Sequence, residues 1–232
     1  MIPFLRKNIN WMFSILFISL MISSCKKDES LPPIDMKYNY FPTNVGHWVV
    51  YKVDSVDYNN TLSPKDSFSY YIKEIVESVY VDNTGRETQR IERYRKDSVD
   101  GQWYIKDVWT VNRNVSDAQK VEEDVRFVKL KFPVVENTKW NGNIYNTLDS
   151  WEYELINVDQ PYSLNGMNFD SSATVMQYDD FNEIIISRDY SEEVYVKNIG
   201  LVYKKLIHLK KIPDGTITSG EEYSYTIQSY GN

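Results

Sequence analysis

Across residues 102–112 apolar side chains recur at every second position, which puts Trp103, Ile105, Trp109 and Val111 on one face of an extended strand. The same alternation sets Tyr223, Tyr225 and Ile227 against Ser224, Thr226 and Gln228 in 222–230, and sets Trp151, Tyr153 and Leu155 against Glu152 and Glu154 in 151–155. Segments 48–56, 69–81, 87–99, 182–190, 194–203 and 206–212 are rich in the β-branched and aromatic residues that suit a pleated, half-buried surface. Turn chemistry separates many of them: Asp82-Asn83-Thr84-Gly85, Asp100-Gly101, Asn141-Gly142, Asn165-Gly166 and Pro213-Asp214-Gly215. No segment keeps a 3.6-residue apolar stripe over three turns, and the best helix candidate, 117–123, is short. The pattern predicts a mainly β protein, one antiparallel sheet domain of about eight to eleven strands.

The first residues follow a different rule. Arg6 and Lys7 precede an almost wholly apolar run, 11–22, which as helix is only about 18 Å long, well short of the ~30 Å hydrocarbon core. Such a run is a signal-peptide h-region rather than a membrane span. Ile22-Ser23-Ser24-Cys25 follows at once and resembles the lipobox of bacterial lipoproteins, with Ile22 where Leu is usual. The resemblance implies that the Cys25 thiol takes a diacylglycerol before cleavage, which removes residues 1–24 and leaves Cys25 as the first residue of the mature chain. Acyl chains of this kind, palmitate among them, anchor stably once two are present, since each buried methylene contributes about 0.8 kcal/mol. Lys26, Lys27, Asp28 and Glu29 resemble the short export signal that sends Bacteroidetes lipoproteins to the outer face of the outer membrane. Residues 25–37, with Pro32-Pro33, then read as a lipidated tether, and 38–232 as the β domain.

Charge and composition narrow the partners. The chain carries 26 Lys+Arg against 33 Asp+Glu, a net charge of −7, and the expected cleavage would remove two of the cations. Net acidity without a basic stripe argues against nucleic acid. One cysteine cannot form a disulfide within the chain, and Cys25, His47 and His208 are too few soft ligands for a structural zinc, so neither a metal nor a cofactor is expected.

Three further segments carry a family resemblance. Tyr40-Phe41-Pro42…Gly46-His47-Trp48-Val49-Val50-Tyr51, Lys131-Phe132-Pro133…Lys139-Trp140-Asn141-Gly142-Asn143 and Val194-Tyr195-Val196-Lys197-Asn198-Ile199-Gly200-Leu201-Val202-Tyr203 are similar to stretches of Bacteroidetes outer-membrane lipoproteins. The last implies a strand pair. The resemblance implies a sheet curved as an open half-barrel or barrel-like sheet, similar to lipoprotein-carrier folds that hold acyl chains, and it carries no site residue. Phe41-Pro42 and Phe132-Pro133, 91 residues apart, each precede a Trp, and each is expected to end a strand at a corner of the sheet, or to mark a weak duplication.

The search for chemistry finds no Gly-x-Ser-x-Gly, P-loop, Gly-x-Gly-x-x-Gly or His-Glu-x-x-His. His47 and His208 read as structural. The pairs Asp179-Asp180, Glu192-Glu193, Glu221-Glu222 and the run Glu122-Glu123-Asp124 read as solvated charge, because neighbours on a strand point to opposite faces. Asp97-Ser98-Val99-Asp100-Gly101 reads as a turn rather than a calcium loop. Trp48, Trp103, Trp109, Trp140 and Trp151 with 19 Tyr either fill the sheet core or form a sugar-stacking or cavity-lining surface. The expectation is a membrane-anchored envelope lipoprotein, on the cell surface, with a non-enzymatic binding or structural role toward a glycan, a lipid or an envelope protein. The alternative is a tethered lipid or lipoprotein carrier.

Overall fold

The computed structural model describes residues 32–58, 65–180 and 186–232. The chain divides after Ile34 into two units, and the second, Asp35–Asn232, is the β domain. Cys25, Lys26, Lys27, Asp28 and Glu29, with the signal segment 1–24, lie outside the described residues.

After a 3-10 turn at Tyr38–Tyr40 come β1 (Trp48–Asp57), β2 (Asp66–Val81), β3 (Glu87–Lys96), β4 (Tyr104–Arg113), β5 (Asp117–Glu122) and β6 (Val125–Lys131). Then follow β7 (Lys139–Asn141), β8 (Glu152–Leu164), β9 (Met167–Asp179), β10 (Ser187–Val196), β11 (Gly200–Lys211) and β12 (Ile217–Gly231). All twelve belong to one sheet in the order β6-β5-β4-β3-β2-β1-β12-β11-β10-β9-β8-β7, and every pairing is antiparallel. The sheet is thus two six-stranded meanders joined where β1 pairs with β12. Its two edges, β6 and β7, also meet: Val128 N–H donates to Gly142 O at 2.9 Å and Trp140 Nε1–H donates to Val128 O at 2.9 Å. These bonds bring the sheet to a nearly closed barrel.

Local chemistry explains the hairpins. Asn165 and Gly166 both have positive φ, 52° and 76°, as the tight β8–β9 turn requires. At β2–β3, Gly85 N–H donates to Asp82 O, and the Asp82 carboxylate accepts from the backbone of Thr84 and Arg86. Asp97–Gly101 is a turn, with Gly101 N–H on Ser98 O.

Two expectations, the strand count and the inner face of β4, are corrected, and the best helix candidate proves to be strand. There are twelve strands among the described residues, not eight to eleven. Residues 117–123 are not helix: Asp117–Glu122 is β5, because Ala118 and Lys120 turn inward against β4 and β6, and this pairing outweighs local helix propensity. In β4 the period of two breaks: Arg93 faces Asp107 but Tyr94 faces Ile105, so a bulge at Lys106 turns Trp103 and Ile105 outward while Trp109 and Val111 stay on the inner face.

One end of the barrel is closed by the segments that resemble the lipoprotein family. Phe132-Pro133 does end β6, whereas Phe41-Pro42 follows the 3-10 turn rather than a strand. Tyr38 packs edge-on against Phe132 at 4.8 Å between ring centres, and Phe41 lies 6.3 Å from Tyr195. Tyr40 is wholly buried, and its hydroxyl meets Asp159 Oδ1 at 2.9 Å, Ser171 Oγ at 2.9 Å and Ser172 O at 3.1 Å. His47, also buried, has Asn232 Oδ1 2.8 Å from Nδ1 and Ile199 O 2.9 Å from Nε2. Gly200 has φ 86°, and a Cβ there would come within 3.2 Å of Pro42. Val76, Ile91, Val111, Leu130, Val134, Leu155, Ala173 and Val175 complete this core. Met36 and Lys37, from the expected tether, are held against it: Met36 O accepts from Val134 N–H, and Lys37 Nζ lies 2.6 Å from Asp159.

Candidate functional site

Beyond the apolar plug the barrel interior turns polar. The inward positions of β2 to β6 supply Glu74, Arg93, Trp109, Lys120, Glu122 and Lys129, and those of β10 to β12 supply Glu193, Lys204, Tyr223 and Tyr225. Cross-strand register sets the pairs: Glu74 stands opposite Arg93, Arg93 opposite Asp107, Glu193 opposite Lys204, and Lys204 opposite Tyr225.

The side chains join these pairs into one network. Arg93 is 3.0 Å from Glu74 and 2.8 Å from Asp107, and its Nη2 donates to the Tyr225 hydroxyl at 3.2 Å. Lys120 lies 2.8 Å from the second Glu74 oxygen. Lys129 bridges Glu122 at 3.0 Å and Glu193 at 2.9 Å, and Lys204 approaches the same two carboxylates at 3.4 and 3.5 Å. Tyr195 donates to Glu193 Oε2 at 2.6 Å, and Tyr51 to Leu201 O at 2.9 Å. Trp109 carries the Arg93 guanidinium 3.4 Å from its ring centre and Lys120 at 4.6 Å.

Burial alone would push the carboxyls of Glu74, Glu122 and Glu193 up, but neighbouring cations win and all three are held below the usual range. Lys120 and Arg93 act on Glu74; Lys129 and Lys204 act on Glu122 and Glu193. Burial would likewise lower Lys129 and Lys204, yet the acids raise both. Burial pushes the Tyr153 hydroxyl up to about 12. Glu74, Glu122, Glu193, Arg93, Lys129 and Lys204 therefore stay ionised across the neutral range.

Two cavities open beside it, of about 440 and 370 Å³. Ser55, Tyr70, Glu74, Arg93, Trp109 and Tyr225 are among the walls of the first; Phe127, Lys129, Trp151, Tyr153, Gln177 and Ser191 are among those of the second. Glu122, Lys204 and Tyr223 line both, so the two meet at these residues. A third cavity, of about 80 Å³, lies on the plug side among Phe41, Val49, Val76, Ile91 and Val111, and shares Glu74, Lys120 and Glu122 with the first.

The sequence reading placed Glu122 and Glu193 among solvated charges, and the structure corrects this: their side chains are 14% and 1% exposed. Asp180 is buried too, and its carboxylate accepts from Asp189 N–H. Glu122 and Glu193 turn inward, away from their chain neighbours, and each meets a lysine there. Among the described residues the tryptophans form no single platform. Trp48 sits on the outer face under Lys73, Trp103 is exposed near Lys96, Trp140 seals the seam, and Trp109 and Trp151 line the cavities. His208 is exposed and pairs across strands with Asp189. Among the described residues no group of three or more His, Cys, Asp or Glu is placed to hold a metal ion.

No family model matches the chain, and no curated protein matches it. Two solved structures are similar to it. One is a protein of Bacteroides fragilis assigned to export and to a YmcC-like fold: 9% identity, TM-score 0.44, covering 83% of this chain and 98% of that one. The other is assigned as a lipoprotein of Parabacteroides distasonis: 11% identity, TM-score 0.32, covering 83% and 98%. At these values the likenesses carry no functional information.

Proposed function

We propose that this chain is a lipid-anchored protein of the bacterial outer membrane, displayed at the cell surface, whose barrel binds a small ligand without transforming it. The anchor rests on the sequence at Cys25 and the export reading on Lys26, Lys27, Asp28 and Glu29. The observation that carries the binding role is the pair of cavities meeting at Glu122, Lys204 and Tyr223, each within the roughly 300–1,000 Å³ of small-molecule sites.

Two features favour binding over catalysis. A carboxyl acting as general acid is held protonated by its surroundings, whereas Glu74, Glu122 and Glu193 are all pulled the other way. Among the described residues, neither cavity is lined by a histidine or cysteine that would serve as base or nucleophile. The carrier reading is less well supported. The apolar cavity, about 80 Å³, has room for a few water-sized groups, and the larger ones have ionic walls where an acyl chain would strip water from charge.

Labelled palmitate incorporation, lost in Cys25→Ala, tests the anchor, and protease shaving of intact cells tests display. Native mass spectrometry of the full chain from its own envelope tests binding: a small adduct, absent when Leu206→Trp fills the second cavity, is the expected result. A mass free of any adduct, together with no thermal shift from envelope extracts, would overturn the binding role.

A further inference from the structure

The two cavities that meet at Tyr223 share a property that selects among ligands: each is electrically balanced. The first is lined by Arg93, Lys106, Lys120 and Lys204 against Glu74, Glu122, Glu123 and Glu221. The second sets Lys129 and Lys204 against Glu122 and Asp149. The inner members are already paired, Arg93 and Lys120 with Glu74, Lys129 and Lys204 with Glu122. An anionic ligand would have to take a cation from a carboxylate that is then left buried and uncompensated, and a cationic ligand the reverse. Phosphates, acids and amines are therefore disfavoured.

The same walls are unsuited to an aliphatic ligand yet rich in ring faces. Tyr70, Trp109, Tyr223 and Tyr225 stand among the charges of the first cavity, and Phe127, Trp151 and Tyr153 among those of the second. Trp151 is itself stacked on Tyr178 at 5.0 Å, which fixes its plane. Two donors in these walls lack an acceptor: Gln177 Nε2 and Trp109 Nε1 are buried with no hydrogen-bond partner. Gln177 is only 4% exposed, so its amide forgoes water as well. A ligand that fits has apolar C–H faces for the rings, many oxygen acceptors and hydroxyl donors for the unpaired amide and the ion pairs, and no net charge.

Resting on the proposed binding role, we infer that the two cavities form one cleft for a short uncharged glycan, with Tyr223 at its centre. Aromatic faces receive the sugar rings, and carboxylates and ammonium groups, already fixed by one another, accept from and donate to hydroxyls without being displaced.

The test uses the full chain in a detergent that carries no sugar. Maltotriose, mannotriose and chitotriose are the neutral probes, with the deacetylated amine form of chitotriose and a galacturonic acid trimer as charged ones. Binding is followed by saturation-transfer NMR and tryptophan fluorescence. At least one neutral trisaccharide is expected to bind in preference to both charged ones. Tyr223→Ala is expected to weaken it about tenfold or more, and Leu206→Trp to abolish it, with melting curves showing that both variants fold. Tyr223→Phe keeps the ring and is expected to retain most of the affinity. Preference for a charged trimer, indifference to both substitutions, or no binding of any neutral trimer at millimolar concentration would overturn the inference. If the native protein still carries a Leu206→Trp-sensitive adduct while no glycan binds, the binding role stands and only the ligand class falls.

Discussion

Lys129 of β6 and Glu193 of β10 meet 2.9 Å apart inside the barrel, 64 residues apart in sequence, with side chains 4% and 1% exposed. Only the closing of the sheet brings β6 to β10, since along the sheet β5 to β1, then β12 and β11, all stand between them. The ion pair is thus a direct reporter of barrel closure.

Removing one partner of such a pair leaves a buried charge uncompensated, which typically costs about 3–5 kcal/mol. Lys129→Met is therefore expected to lower stability by several kcal/mol in urea unfolding. Adding Glu193→Gln should recover part of the loss, because the orphaned carboxylate is gone while Tyr195 can still donate to the amide oxygen. Additive effects of the two substitutions would show that the residues are not coupled.

Stability should also fall in acid. Glu74, Glu122 and Glu193 have folded-state values below their unfolded ones, near 4.3 for Glu. Their contribution is present above about pH 4–5 and is lost as pH falls through the depressed folded values. Lys129 and Lys204 are raised, so their contribution is complete below the ordinary lysine range and is lost only as pH rises through their folded values. The expected melting profile is flat through neutrality and drops steeply below about pH 4. Glu122→Gln should be less stable at pH 7 and show a shallower acid drop; an acid profile parallel to that of the unaltered chain would refute the assignment.

How far these features were legible from sequence depends on the residue. Tyr223, Tyr225 and Ile227 alternate over an undisturbed strand, so their shared face was readable at once. Trp103 and Ile105 were placed inward because nothing in the sequence marks the bulge at Lys106, which depends on pairing with Arg93 and Tyr94. Glu122 and Glu193 looked like surface charge because an acid reveals its burial only through its partner, and the Lys129–Glu193 and Lys204–Glu122 contacts form only across the closed barrel. The Phe-Pro echo was readable, yet not what it accompanies: each copy precedes one six-stranded meander, β1 to β6 or β7 to β12.

Three hydrogen bonds of the plug converge on one hydroxyl. Tyr40 Oη meets Asp159, Ser171 and the Ser172 carbonyl, while Asp159 also holds Lys37 and Lys197. Tyr40→Phe removes these bonds and leaves the ring in place, so the expected loss is about 1–3 kcal/mol, read as a lower urea midpoint with an unchanged slope. Faster proteolysis near Met36 and Lys37 would accompany it, since these residues are held to the barrel beside the same carboxylate.

β6 and β7 stand at the two ends of the strand order, and among the described residues no ladder joins them. Val128 N–H to Gly142 O, Trp140 Nε1–H to Val128 O, and Asn146 Nδ2–H to Arg126 O, each 2.9 Å, join the two sides among the described residues, whereas β5 and β6 share a ladder of paired residues broken by one bulge. Gly142 is required by the packing: a Cβ there would lie 2.2 Å from the Tyr153 ring, which stands edge-on to Trp140. Gly142→Ala must displace that ring or the seam, and overpacking of this kind costs about 1–3 kcal/mol. Trp140→Phe keeps most of the apolar area and deletes one bond, for about 1 kcal/mol. In hydrogen exchange both variants should speed the Val128 amide well before the amides of β1 and β12, which pair at the middle of the sheet. If the Val128 amide instead exchanged in step with β1 and β12, opening would be global and the seam would not be the first line to part.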